Sequence, residues 1–300
     1  MPRLSVLVPA YQAAQTIVPA LRSTMRALPK DAEIVVLDDG STDGTAEVAR
    51  HVDDPRLRVI SRPNRGVAAT LNDLLDATDS ELVARMDADD IVLPGRFARQ
   101  LRRIEAGADA VFTTVVTWGA GRPGLPRPSA IGAEAFGLHL LLTNPVAHST
   151  FLGRRAAVTE VGGYRALPTE DYDLWLRMAM HGARLHRMAL PGLAYRVHPG
   201  QVTASAEWRR ASWENPEIAA AYSALAERLL GAPARRITSL SIDSQLAPDE
   251  KTAQVAEFST RFDAALLKCA PPARRALRRK LSERRAWLTR QLGEQEVVAR

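Results

Sequence analysis

A chain of 300 residues, 46% apolar and 25% charged, has room for one large domain or a domain with an appendage, and reads as a soluble globular protein. The single cysteine, Cys269, excludes an internal disulfide framework; no stretch reaches the roughly 18–20 apolar residues of a membrane span and no leader-like segment precedes the first strand, so a cytosolic protein without a signal peptide is expected. The net charge of +6 is local: Arg274, Arg275, Arg278, Arg279, Lys280, Arg284, Arg285 and Arg290 stand against Glu283 alone, and the remainder is close to neutral.

Strands and helices alternate through the first half. Short runs rich in Val, Ile and Leu at 4–8 and 33–37 have the character of buried parallel strands, and 57–61, 81–85 and 110–116 read as further strands. Helical patterns fall between them at 16–28, 43–51, 67–77 and 94–106, the last with Pro94 at a first-turn position. This order predicts a parallel α/β sheet. The Gly/Pro-rich segment 119–128 is expected to be a loop. A helix near 134–142, an apolar stretch near 149–152, a helix near 170–181 and a strand near 184–197 follow, and from residue 206 the pattern is mostly helical.

Open parallel sheets bind ligands beyond the carboxyl ends of their strands. Three segments map there: Pro9-Ala10-Tyr11, then Asp38-Asp39-Gly40-Ser41-Thr42-Asp43, then Asp87-Ala88-Asp89-Asp90. Three carboxylates within four residues repel one another unless a cation compensates them. Hard divalent cations choose oxygen ligands and share them with substrate phosphates, so Asp87 and Asp89 are candidate ligands of Mg²⁺ or Mn²⁺. Taken alone, the segment also suits a solvated turn that caps the next helix. Gly40 permits a sharp turn, and Ser41, Thr42 or Asp43 can cap the helix beyond it.

With Asn64-Arg65-Gly66-Val67 and Asn72, Gly162-Gly163-Tyr164, and Glu170-Asp171-Tyr172-Asp173-Leu174-Trp175-Leu176-Arg177, these motifs in this order resemble a family 2 glycosyltransferase over residues 3–200. The resemblance implies the GT-A fold: α/β, Rossmann-like, a mostly parallel sheet flanked by helices, here with a helical C-terminal extension. It implies a catalytic domain over 1–204, with 1–118 the nucleotide-sugar half and 119–204 the half carrying acceptor and base, and a basic helical region over 205–300. In its terms Pro9, Tyr11, Asp39, Gly66, Asn72 and Asp87 line the nucleotide pocket. Asp89 ligates the metal, with Asp87 beside it and His198 completing the shell. Asp171 is the catalytic base, with Glu170 the runner-up, and His148 and Trp175 lie on the acceptor side. Alternatives sit beside these roles: an N-terminal helix carboxylate for Asp171, a diphosphate contact or a surface histidine beside Pro199 for His198, a structural loop histidine for His148, and a buried helical stripe for Leu174, Trp175 and Met178. The implied reaction is inverting transfer from a nucleotide sugar, UDP-linked, to a hydroxyl acceptor in glycan biosynthesis. The chain lacks both the Gln-x-x-Arg-Trp motif and the membrane helices of the processive synthases, which favours one sugar per encounter.

Leu277, Leu281, Leu288 and Leu292 recur at helical spacing with arginines on the other faces. Such a helix over 273–292 could dock on the catalytic domain or on a second subunit, making a homodimer. It could also rest on an anionic membrane surface at the inner face of the membrane. Nucleic acid is disfavoured, since no reader motif and no aromatic interleaving accompany the arginines. Two rival readings of the whole chain are a nucleotidyltransferase and a non-catalytic module acting through the basic helix. The first is weakened because residues 9–16 contain no Gly, Lys or Arg.

Overall fold

The computed structural model describes residues 2–119, 124, 129–198, 201 and 205–298. Its strands are β1 (Leu4–Ala10), β2 (Ala32–Asp39), β3 (Leu57–Arg62), β4 (Leu82–Arg85), β5 (Ile91–Val92), β6 (Ala110–Gly119), β7 (Leu152–Arg154) and β8 (Leu185–Val197). They form one sheet in the order β3-β2-β1-β4-β7-β6-β8-β5. The half from β3 to β4 is parallel. The sheet is mostly parallel, as expected; the other half is mixed, with the long β6–β8 pairing parallel and the short β4–β7, β6–β7 and β5–β8 pairings antiparallel. Apolar periodicity reports burial, not strand direction, so the sequence pattern could not distinguish the two.

The helices are α1 (Ile17–Ala27), α2 (Thr45–Arg50), α3 (Val67–Asp76), α4 (Arg96–Glu105), α5 (Ala133–Leu140), α6 (Arg155–Thr159), α7 (Glu170–Met180), α8 (Ala206–Glu214), α9 (Pro216–Leu230), α10 (Ile237–Ile242), α11 (Pro248–Ala265) and α12 (Pro271–Val298). Alternate strand residues feed two cores. Val6, Val8, Ile34 and Val36 pack with α1, α2 and α4 on one face. Leu7, Val35 and Leu37 join a larger core on the other face with α3, α5, α7 and α9 to α12. The loop expected over 119–128 lies largely outside the described residues; within it, Gly124 pairs with Thr117.

The C-terminal helices are thus part of the larger core's packing. Leu277, Leu281, Leu288 and Leu292 of α12 are all buried there. Each such burial is worth about 1.5–3 kcal/mol, which outweighs any solvated alternative for the stripe. This corrects one sequence expectation: the apolar stripe of 273–292 is spent on the protein's own core and is not offered to a lipid surface. Among the described residues no helix is long and apolar enough to cross a membrane.

Candidate active site

The site lies at the carboxyl edge of the parallel half, where strand order reverses between β1 and β4. Short side chains stitch the loops of this edge together. Gln12, at φ 51° in the left-handed region, donates its backbone N–H to Ser41 Oγ (2.9 Å), and Ala14 N donates to Asp43 Oδ2 (3.0 Å). Asp39 is nearly fully buried. Its Oδ1 accepts from Arg65 N (2.9 Å) and pairs with Arg62 (2.8 Å), while Oδ2 accepts from Gly66 N (2.8 Å). Gly66 holds φ 86° and ψ 165° at the start of α3, a conformation that only glycine adopts without strain. Asp39 therefore fixes the loop that leads into α3, and Oδ2, with one of its two acceptor positions used, keeps capacity for a further N–H.

Beyond β4, the carboxylates of Asp87, Asp89 and Asp90 each bring an oxygen within 4.8 Å of the others. Asp87 pairs with Arg85 at 2.5 Å, and Asp89 Oδ2 lies 3.4 Å from His198 Nε2. Asp90 is 1% exposed; its Oδ1 accepts from Arg196 N (2.8 Å), tying the turn to the end of β8, and its buried Oδ2 has no partner among the described residues. Burial and the Asp87 charge push Asp90 up to about 8, and the same two causes raise Asp89 against the opposing pull of His198. Beneath the turn, Arg96 is fully buried and donates to the backbone carbonyls of Arg85 (2.9 Å) and Phe151 (3.4 Å). Burial lowers Arg96 to about 9, against the attraction of Asp90 and Asp87. Crowded carboxylates with an orphaned buried oxygen suit a hard divalent cation.

The facing wall begins at α7, whose first turn carries Glu170, Asp171 and Asp173. Asp171 Oδ2 accepts from Asn144 Nδ2 (2.8 Å), and Oδ1 from the Tyr172 backbone N–H (2.7 Å). Burial raises Asp171 and Glu170 above the ordinary carboxylate range, partly offset by His148 for the first and by Arg85 for the second. His148 lies between Tyr164 Oη (3.0 Å) and Glu170 Oε1 (3.5 Å). Burial, with Arg85 nearby, drives its pKa down to about 3, so the ring is neutral. A cleft of about 780 Å³ is lined by Asp87, Asp89, His198, Arg85, Glu170, Asp171, Asn144 and His148, with further residues from α8, α10 and α12. That volume is in the range of ligand sites.

The structure thus unites Asp87, Asp89, His198, His148, Glu170 and Asp171 in one cleft. Pro9, Tyr11, Asp39 and Gly66 sit at the same sheet edge outside its lining, with Tyr11 56% exposed. Two of the expected site residues are engaged elsewhere. The Asn72 amide is occupied by the backbone of Tyr164: its Nδ2 donates to Tyr164 O (2.8 Å) and its Oδ1 accepts from Tyr164 N (2.9 Å). It clamps the Gly162-Gly163-Tyr164 turn, where a Cβ on Gly163 would meet Asn72 Oδ1 at 2.8 Å. Arg177 grips the same turn through the carbonyls of Val161 and Gly163 and pairs with the buried Asp173 (2.7 Å). Trp175 does not stack on an acceptor: it is 0% exposed, packed against Phe112, Phe151 and the underside of His148. Sequence reasoning missed Asn144, Arg85 and Arg96 as parts of the site. A cation ending a buried strand beside an acidic turn was the available signal for Arg85, because burial of an unpaired charge is costly.

A mixed α/β sheet with an acidic turn after its central strand and a carboxylate-tipped helix facing it is the frame of a nucleotide-sugar transferase. The family model for glycosyl transferase family 2 matches residues 5–162. The chain belongs to that family and is a glycosyltransferase. It is 34% identical over 200 residues to the succinoglycan biosynthesis protein ExoU of Rhizobium meliloti (strain 1021), covering 60% of this chain and 57% of ExoU. The fold is similar to S. aureus TarS 1–349 in complex with UDP-GlcNAc (TM-score 0.63, 18% identity, 98% of this chain and 92% of that chain). It is also similar to the mannosyltransferase PcManGT from Pyrobaculum calidifontis in complex with GDP-Man and Mn²⁺ (TM-score 0.55, 21% identity, 97% and 84%). These likenesses establish the GT-A-type fold.

Proposed function

We propose that this chain moves a sugar from a nucleotide-sugar donor, UDP-linked, to a hydroxyl acceptor with inversion, in the building of a polysaccharide or related glycan. The observation that carries this reading is the facing of Asp87 and Asp89 by Asp171 across one cleft, with Asn144 orienting Asp171. Asp87 and Asp89, with His198 beside Asp89 and Asp90 behind, would hold a divalent cation, Mn²⁺ or Mg²⁺, which when bound neutralises the charge that builds on the departing diphosphate. Asp39, Gly66, Pro9 and Tyr11 would meet the base and ribose.

Asp171 takes the proton of the acceptor hydroxyl. That oxygen forms its bond to the anomeric carbon while the bond from that carbon to the phosphate oxygen breaks, and the nucleoside diphosphate leaves with the electron pair. Hydrogen bonds from Asn144 and the Tyr172 N–H fix the carboxylate and leave each oxygen acceptor capacity for the proton. Placement of a base opposite the leaving group gives a single displacement and inversion. Glu170, beside neutral His148, is the second candidate base.

Calorimetric titration of UDP, GDP and dTDP with Mn²⁺ and with EDTA, on the native protein and Asp89→Ala, tests the reading. Metal-dependent binding of UDP that disappears in the variant is expected. Failure of every nucleotide to bind with Mn²⁺ present would overturn it.

A further inference from the structure

The cleft has two electrical ends. Its carboxylates come from the turn after β4 and from the start of α7, whereas the residues contributed by α8, by α10 with the Arg236 that caps it, and by α12 include Arg209, Arg236 and Arg284 and no acid. Arg236 rests on the face of Tyr172, its Cζ 4.8 Å from the ring centroid, and donates to the Ser212 carbonyl (3.1 Å). Tyr172 directly follows the base Asp171 and spends its hydroxyl on Leu140 O (2.6 Å), so its ring is a fixed platform for Arg236. Arg284 reaches the same space from α12 and has no hydrogen-bond or ion-pair partner among the described residues.

Neighbouring arginines behave differently. A second cavity, of about 810 Å³ among α8 to α11, shares Arg236 with the cleft, and its other arginines are paired: Arg210 with Glu214 (2.8 Å), Arg235 with Asp243 (2.7 Å) and Arg261 with Glu257 (3.1 Å). In the cleft the half-buried guanidiniums of Arg236 and Arg284 face one space, and neither is paired with a carboxylate among the described residues. Burial lowers the Arg284 pKa and the charge of Arg236 pushes it the same way, against the opposing pull of Tyr172 and Glu283. Like charges held together in a partly dry cleft create a positive potential that an anion would relieve, and guanidinium forks match phosphate and carboxylate geometry.

Resting on the proposed transfer reaction, we propose that the acceptor is anionic, its phosphate or carboxylate seated between Arg236 and Arg284 so that a neighbouring hydroxyl lies at Asp171. The C-terminal helical region then serves as the acceptor-selecting wall of the cleft.

The test compares N-acetylglucosamine 1-phosphate, methyl glucuronide and the uncharged methyl N-acetylglucosaminide as ligands of the full chain. Affinities are read by NMR titration in EDTA, with the native protein, Arg284→Gln and Arg284→Lys. One or both charged sugars should bind at least ~10-fold tighter than the neutral one, the scale of a charge-assisted hydrogen bond, and which of them binds separates phosphate from carboxylate. That preference should fall at least ~5-fold in Arg284→Gln and persist largely in Arg284→Lys. Absence of a charge preference, absence of binding by either charged sugar, or a preference unchanged in a folded Arg284→Gln overturns the proposal. Should Arg284→Gln lose its fold, a native preference that does not weaken between about 50 mM and 500 mM NaCl overturns it instead. UDP affinity with Mn²⁺ is measured on the same samples. Intact UDP binding without a charge preference sinks the acceptor proposal alone, and no UDP binding to native protein sinks the transferase reading beneath it. An equal loss of UDP affinity in Arg284→Gln assigns the arginine to the donor and overturns the proposal.

Discussion

The acidic and basic ends of the cleft are built by different means. At the acidic end nearly every charge is held by a partner of its own: Asp87 by Arg85, Asp171 by Asn144 and the Tyr172 N–H, Asp90 by the Arg196 N–H. Those groups ride on strand ends and a helix start, the most rigid parts of the fold, as expected of groups that must meet reacting atoms within a few tenths of an ångström. At the basic end, Arg236 and Arg284 come from two helices of the C-terminal region and share no carboxylate. A pre-organised end suits the chemistry common to all substrates of such an enzyme. An uncompensated end suits selection among substrates.

The largest effects should separate chemistry from scaffold at the acidic end. Asp171→Asn keeps the shape and the acceptance of a hydrogen bond but removes the base, so turnover should fall by about 10²–10⁴ with UDP affinity nearly unchanged. Steady-state kinetics beside calorimetry decides this; an equal fall in Glu170→Gln with little change in Asp171→Asn would move the base to Glu170. Asp89→Ala should remove the Mn²⁺-dependent part of UDP affinity and leave the melting temperature within a few degrees, since its ion-pair partner among the described residues is the half-exposed His198.

The packing of Asn72 and Trp175 predicts losses of stability instead. Trp175→Ala should cost about 3–5 kcal/mol in denaturant unfolding, because it empties a fully buried site among Phe112, Phe151 and His148. Asn72→Ala strands the backbone N–H and C=O of Tyr164, a loss of about 1–3 kcal/mol. UDP affinity in that variant should change less than stability does. A variant with native stability and lost nucleotide affinity would return Asn72 to the nucleotide pocket.

How far the sequence foretold this site depends on whether each group's partners are near it in the chain. Asp87, Asp89 and Asp90 are legible because three carboxylates in four residues demand compensation wherever they fold. Glu170 and Asp171 are legible as a pair at a helix start. Asn72 is not, since its spacing from Gly66 cannot reveal that both ends of its amide reach Tyr164, 92 residues away. Trp175 belongs to a helical stripe, and a stripe says which residues share a face but not whether that face meets core or cleft. The arginines of α12 are conspicuous in sequence, and helical spacing puts Arg284 on the same face as Leu277, Leu281 and Leu288, but that spacing does not say that this face borders the cleft. Its placement follows from the burial of Leu277, Leu281 and Leu288, which sets the rotation of the helix.

The smallest predicted effects concern pH, where His148 and Asp171 have opposite signs. His148 has a folded pKa near 3 against an ordinary 6.5, so between those values the unfolded chain binds the extra proton. Its contribution to stability is therefore intact above pH 6.5 and is lost progressively as pH falls toward 3. Asp171 is raised by burial, so the folded chain binds its proton more readily, and this carboxyl gains stability as pH falls through the interval between its unfolded and folded pKa. The active form of the base is the ionised one. The rate should therefore climb with pH on an acid limb centred above the ordinary Asp value of about 3.9, and then level off. The His148 ring should contribute no limb of its own, and its side-chain NMR signals should show the neutral imidazole throughout the active range. A limb near 6.5 that vanishes in His148→Asn would mean that the ring titrates in the working enzyme, and His148, not Asp171, would then govern the ionisation at the acidic end.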